Sequence, residues 1–361
     1  MDSEFWRERR VLVTGHTGFK GAWLCMLLHR LGARISGFAL EPPTHPSLYE
    51  LAGVDALVHS TLGDVRDLSH LTRTLADAAP QVLIHMAAQS VVLTSYEDPV
   101  ETYATNVMGT VNVLEAVRRL GRPVTVVNVT TDKAYLNQGW VWSYRENDAL
   151  GGRDPYSNSK ACSELVAQAF RHSFFPTDNF ARHGVALASA RAGNVIGGGD
   201  WTAHQLVPDL IEAYGAGRPV ELRSPGAIRP WQHVLDCLRG YLTLAQRAAT
   251  TPLQHAGEWN FGPSADEVLT VAQVADLLAP HWNVSPAWTP AAGPQLHEEL
   301  ELRLDSSKAR RRLGWQCLLP TARALDWVAQ WYRRTQAGES ARAVSDDQIR
   351  AFLALAPRSG A

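Results

Sequence analysis

Lysine is scarce in this chain. Only Lys20, Lys133, Lys160 and Lys308 occur among 361 residues, and the other fixed cations are arginines. Genome composition is one source of such a bias, yet it makes Lys133 and Lys160 stand out, because arginine serves almost everywhere else. Net charge is also small, −2 at pH 7, which leaves no electrostatic footprint for nucleic acid or an anionic membrane. The four cysteines, Cys25, Cys162, Cys237 and Cys317, form no C-x-x-C pair. Neither a disulfide framework nor a zinc site is expected from them, and a reducing cytoplasm is the natural setting. No apolar run reaches the roughly 18–20 residues that cross a bilayer. The opening MDSEFWRERR carries no signal-like apolar region, so neither export nor membrane insertion is expected. None of the 13 histidines falls in H-x-H or H-E-x-x-H spacing, and no metal is expected.

What is present is the composition of an ordinary soluble globule, 45% hydrophobic and 19% charged, in a chain long enough for one large and one smaller domain. Apolar strand-like segments at 10–14, 33–40, 57–61, 81–85, 124–129 and 185–191 alternate with helical spacing at 22–31, 68–78, 100–120 and 156–174. That rhythm predicts an α/β fold, a doubly wound parallel sheet covered on both faces. After about residue 195 the pattern loosens into short helices and brief extended pieces such as Trp259-Asn260-Phe261. The expected division is a dinucleotide-binding domain over 1–195, a smaller C-terminal lobe over 196–336 and a weakly fixed tail over 337–361.

Three patterns carry chemistry. Gly15-x-x-Gly18-x-x-Gly21 lies at the first strand-to-helix turn, where glycines allow a tight turn and a helix N-terminus supplies free N–H groups to a pyrophosphate. The second strand ends without the usual acid, with Glu41 just beyond, and no arginine stands there to take a 2′-phosphate; NAD is favoured. Asp64 suits an adenine edge, and Ala87 and Ala88 let a cofactor pass close to the backbone. The second pattern is the strand end VVNVTTDKAY over 126–135, which emerges into Thr131, Asp132 and Lys133. The third is Tyr156-x-x-x-Lys160 behind Pro155, two side chains on one helical face. A nearby ammonium and a cationic nicotinamide ring both favour phenolate, and so draw a tyrosine toward use as a base.

GHTGFKG, the Y-x-x-x-K pair, Asn106, RENDALGGRDPYSNSK and RAGNVIGGGDW resemble the extended short-chain dehydrogenase/reductase (NAD-dependent epimerase/dehydratase) superfamily. RAGNVIGGGDW and the later AIRPWQHV are similar in particular to the CDP-glucose 4,6-dehydratases, over roughly residues 8–335. The resemblance implies a hydro-lyase that oxidises C4 of a nucleotide-activated hexose, eliminates water across C5–C6 and returns the hydride to C6. It implies NAD contacts from Gly15, Thr17, Gly18, Phe19, Lys20, Gly21, Asp64, Val65, Ala87, Ala88, Gln89 and Thr105, with Tyr156 and Lys160 at the nicotinamide end. Tyr156 takes the proton of the 4-hydroxyl, Thr131 hydrogen-bonds the same oxygen, Asp132 is the acid at C6, and Lys133 is either the C5 base or an enolate stabiliser. Ser90, Asn194, Arg229 and His233 are expected at the diphosphate, while Trp201 and Trp231 either line the pocket or pack in the core. A homodimer is implied through the helices at 100–120 and 156–174, with a tetramer as a further option. Another nucleotide-sugar dehydratase, a 4-epimerase and a catalytically silent NAD-binding regulator remain as alternatives.

Overall fold

The structure, a computed structural model, describes residues 2–264, 267–292 and 301–355. Its centre is a seven-stranded, wholly parallel sheet. In chain order the strands are β1 (Arg10–Thr14), β2 (Arg34–Ala39), β3 (His59–Leu62), β4 (Val82–His85), β5 (Val124–Thr131), β6 (Val185–Ala192) and β8 (Gly257–Phe261). They lie in the order β8-β6-β5-β4-β1-β2-β3. β5 and β6 are buried along all eight residues each, because helices cover both faces of the sheet.

The helices that position the site are α1 (Phe19–Arg30), α2 (Leu68–Ala78), α3 (Gly109–Leu120) and α4 (Pro155–Ser173). Leu71, Leu75, Val113, Val117 and Ala167 join Leu12, Leu83 and Val126 in the core on one face. The other face packs α1 and α6 (Val234–Thr250), with Trp23, Leu27, Leu238 and Trp259 in a larger core. The expected long helix over 100–120 is broken in its hydrogen bonding: Pro99–Tyr103 passes through a π-turn, Ala104–Met108, before α3 begins. Asn106 lies in that turn and is buried, a placement common at functional sites.

Two expectations need correction. The chain does not leave the sheet at residue 195: α6 packs against β5 and β6, and the expected short piece at Trp259–Phe261 is part of β8, paired in parallel with β6. What lies outside the sheet is a lobe over its carboxyl edge, including α5 (Leu206–Gly215), β7 (Val220–Leu222) and α7 (Val271–Leu278). The weakly fixed tail is also wrong for its described part. Ala341–Leu355 forms a helix, α9, against α8 (Thr321–Gln336) and α1. Val344, Ile349 and Phe352 are buried there, about 1.5–3 kcal/mol each in apolar transfer. Trp331 Nε1 donates to Ser345 Oγ at 2.9 Å, and Gln348 Nε2 to the Trp327 carbonyl at 2.8 Å. Residues 356–361 lie outside the described range.

Candidate active site

β5 ends at the carboxyl edge of the sheet, near the point where the chain reverses direction through it, the usual ligand crevice of such folds. There the backbone turns through a short 3-10 segment, Asp132–Ala134, capped by Thr131. The Thr131 hydroxyl accepts the Lys133 N–H at 3.3 Å and donates to Asp132 Oδ1 at 3.0 Å. Asp132 is 1% exposed, and among the described residues its Oδ2 has no hydrogen-bond partner. Burial pushes the Asp132 carboxyl above the ordinary carboxylate range, against the pull of Lys133, Thr131 and Arg229.

α4 brings the second half of the site. Asp154 caps it, accepting the Ser157 N–H at 2.8 Å, and Pro155 opens its first turn. Tyr156 and Lys160 are both buried on the face turned to β5. Lys160 Nζ donates to the Val129 carbonyl at 3.2 Å. Its ammonium is pushed down to about 8, first by burial and next by Lys20, with Glu164 opposing. Tyr156 moves the other way from the sequence expectation. Burial, then the Asp132 and Asp154 carboxylates, hold the phenol above its ordinary value, and only Thr131 pulls it down. Within the chain alone, desolvation sets the direction of the shift.

Beneath these side chains lies a buried network that motif reading did not find. Glu164, one turn beyond Lys160, pairs with Arg191 of β6, Nε to Oε1 at 2.9 Å, both side chains fully buried. Thr130 also donates to Glu164. Arg191 donates to the Tyr135 hydroxyl at 2.7 Å, which donates to Asn260 Oδ1 of β8 at 2.7 Å. A sequence signal existed: Tyr156, Lys160 and Glu164 repeat every four residues, and Arg191 is a lone charge in an otherwise small and apolar strand. Asn106 ties down the loop after β4 through both backbone groups of Gln89, each at 2.9 Å, and reaches Ser159 at 2.9 Å.

The dinucleotide expectation can be tested on the first turn. Gly15 has φ +76°, and a Cβ on it would lie 2.8 Å from the Ala87 nitrogen. A Cβ on Gly21 would lie 2.1 Å from the Gly15 carbonyl oxygen. Gly18 caps α1 with no side chain on its N–H groups. The turn is therefore tight where it meets β4 and bare at the helix N-terminus, which fits a pyrophosphate. Lys160 fits the nicotinamide ribose as well: its buried ammonium has three donors, and the Val129 carbonyl takes one of them. Asp64 is ion-paired to Arg66, which also reaches Glu101. Thr105 Oγ1 donates to Glu101 Oε1 at 3.3 Å, beside that cluster.

A cavity of about 250 Å³ opens between the sheet edge and the outer lobe. Its lining includes Lys133, Tyr135 and Ser157, Asn194, Arg229 and Trp231, and His204, Asp209 and Leu222. Ser90 is exposed on the loop after β4. Trp201 packs edge-on against Trp331 and Tyr332. His233 is misplaced for its expected role. It is fully buried, edge-on to Trp23 and Trp327, and its Nδ1 accepts the Leu235 N–H at 3.3 Å as the cap of α6. Burial pushes its imidazole down to about 3, so it is neutral at pH 7 and offers no charge to a phosphate.

A family model for GDP-mannose 4,6 dehydratase matches residues 12–322. The chain belongs to that dehydratase family. Over 358 residues, 99% of this chain and 100% of the relative, it is 46% identical to the CDP-glucose 4,6-dehydratase of Salmonella typhimurium. The dTDP-glucose 4,6-dehydratase of Streptomyces venezuelae, solved with NAD bound, matches at 25% identity and TM-score 0.75, covering 91% of this chain and 98% of that one. The UDP-glucose 4-epimerase of Thermotoga maritima shares the fold at TM-score 0.76 and 20% identity, covering 90% and 99%. For a 4,6-dehydratase, the pairing of Asp132 with a lysine at 133 beside the tyrosine–lysine helix is the local feature to account for. The cavity residues after 200, His204, Gln205, Leu206 and Asp209, were not legible as a site. They become neighbours of Arg229 only because the outer lobe folds back over the sheet edge.

Proposed function

We infer that the protein converts CDP-D-glucose to CDP-4-keto-6-deoxy-D-glucose, a hydro-lyase reaction with no net redox change. The observation that carries this is the 46% identity across the full length to a CDP-glucose 4,6-dehydratase, joined to a site in which Thr131, Asp132, Lys133, Tyr156 and Lys160 meet at one sheet edge. NAD held by the Gly15–Gly21 turn and Lys160 would supply the hydride acceptor for C4 of the hexose and the hydride donor for C6.

Each residue then has a physical task. Tyr156 receives the proton of the 4-hydroxyl, and Thr131 hydrogen-bonds the same oxygen. Lys160 turns its remaining donors to the ribose. Asp132 delivers a proton to the departing 6-hydroxyl, and the upward push from its burial supports an acid there. Lys133, on the cavity wall, either removes the C5 proton or stabilises the enolate that forms. Arg229 and Asn194 hold the diphosphate, a guanidinium being suited to paired phosphate oxygens.

Val100 on the Pro99–Tyr103 helix, Met108 in the π-turn that leads into α3 and Leu165 on α4 are each more than half exposed, which supports a homodimer through this face. Four free cysteines, two of them buried, support a reducing cytoplasm. Incubation with CDP-, dTDP- and UDP-hexoses tests the whole reading. A 4-keto product from CDP-glucose, seen by its near-ultraviolet absorbance in alkali, is the expected result. Keto sugar from a different nucleotide moves the substrate, and none from any of them removes the enzyme.

A further inference from the structure

The cavity is lined from two different parts of the fold. Lys133 and Ser157 belong to the sheet edge, Asn194 and Arg229 to the segments after β6, and the outer lobe adds the start of α5 and β7. A nucleotide sugar is linear: hexose, diphosphate, ribose, base. With its hexose at Lys133 and its diphosphate at Arg229, the α5 and β7 lining is left to its base. Leu206, Val220 and Leu222 there offer apolar faces to a flat ring.

Among the described residues three carboxylates line this cavity, and two are turned to other uses. Asp154 caps α4, with Oδ1 on the Ser157 N–H at 2.8 Å and Oδ2 on the Ser157 hydroxyl at 2.5 Å. Glu221 is exposed on β7 between half-buried Val220 and buried Leu222, so the strand alternation turns it outward. Asp209 remains. It is half-buried in the first turn of α5, facing β7, with the His204 backbone N–H and the Arg223 guanidinium beside it.

We propose that Asp209 selects the pyrimidine: its carboxylate accepts a hydrogen bond from the exocyclic amino group of cytosine and repels the carbonyl that uracil or thymine presents at the same ring position. This rests on the reading that the substrate is a cytidine diphosphate sugar. An ionised carboxylate is an acceptor only, so the amino group adds a proton to the one that the His204 N–H already gives Asp209, and a carbonyl brings none. Acidic side chains read cytosine elsewhere by this same amino group.

The test compares wild type with Asp209→Asn, Asp209→Leu and Asp209→Glu, using CDP against UDP in calorimetric binding and CDP-glucose against UDP-glucose in turnover. Wild type favours the cytidine ligand. In Asp209→Asn the amide can turn its NH2 toward a carbonyl, so the CDP-to-UDP ratio falls roughly tenfold to a hundredfold, the worth of one good base contact. The fall appears mainly in KM and Kd, and Asp209→Glu keeps the cytidine preference. Equal losses for both nucleotides in Asp209→Asn, with the ratio unchanged, overturn the proposal while CDP-glucose turnover by wild type leaves the functional reading standing. A folded wild type that converts no CDP-glucose overturns that reading and takes the proposal with it.

Discussion

Lys160→Met should make the protein more stable at neutral pH while abolishing turnover. The ammonium sits fully buried, and its affinity for a proton falls from 10.5 to about 8. Each tenfold loss of proton affinity is about 1.4 kcal/mol, so carrying the charge at pH 7 costs the folded state about 3 kcal/mol. Methionine has similar length and no charge, but it forfeits the hydrogen bond to the Val129 carbonyl, worth roughly 1 kcal/mol. The net gain is about 2 kcal/mol. Its pH dependence has a fixed sign. Below about 8 the lysine is protonated in both states and the full cost is present. From about 8 to 10.5 the unfolded chain binds more protons than the folded one, so wild-type stability climbs with pH and the variant's advantage shrinks. Above that range it is gone. Urea melts of both proteins without cofactor, from pH 6.5 to pH 10.5 (roughly the window that the shift defines), measure this directly. A variant less stable than wild type at pH 6.5, or a difference that does not change with pH, refutes the reasoning. Saturating NAD should narrow the gap, because its ribose gives the ammonium the partners it lacks.

Breaking the buried Glu164–Arg191 pair by Glu164→Gln or Arg191→Met should cost about 3–5 kcal/mol each, since the surviving partner is stranded. The double variant should cost less than the sum, and additive urea midpoints would argue that the two are uncoupled. Asp132→Asn should still pass hydride from CDP-glucose but stall at elimination, so that enzyme-bound NADH accumulates in absorbance. Unimpaired turnover would mean that the acid at C6 is another residue. Lys133→Met separates the two roles left to that lysine: solvent exchange at C5 vanishes if it is the base and persists if it only stabilises the enolate. Gly21→Ala sets a methyl where the Gly15 carbonyl stands 2.1 Å away. It should weaken NAD binding at least about tenfold in fluorescence titration, and wild-type affinity would mean that the turn relaxes freely.

Local pattern alone determined much of this protein. Alternation of apolar strands with amphipathic helices specifies a parallel sheet, because only burial on both faces accounts for strands as uniformly apolar as β5 and β6. The glycine turn, the Thr131–Lys133 strand end and the Tyr156–Lys160 spacing were legible for the same reason: each is fixed by neighbours a few residues away. Tertiary structure decided the rest. Whether His233 meets a phosphate or a core depends on Trp23 and Trp327, 210 residues before it and 94 after it in the numbering, and no local spacing encodes that. The direction of the Tyr156 shift depends on how completely the fold removes water, which outweighs the Thr131 hydrogen bond. The 341–355 helix reads as a tail until α1 and α8 supply a surface for Val344, Ile349 and Phe352. Asp209 and Arg229 share a cavity because the outer lobe closes over the sheet edge. Desolvation and long-range packing are properties of the whole folded chain, and they set the chemistry of residues that the sequence could only place.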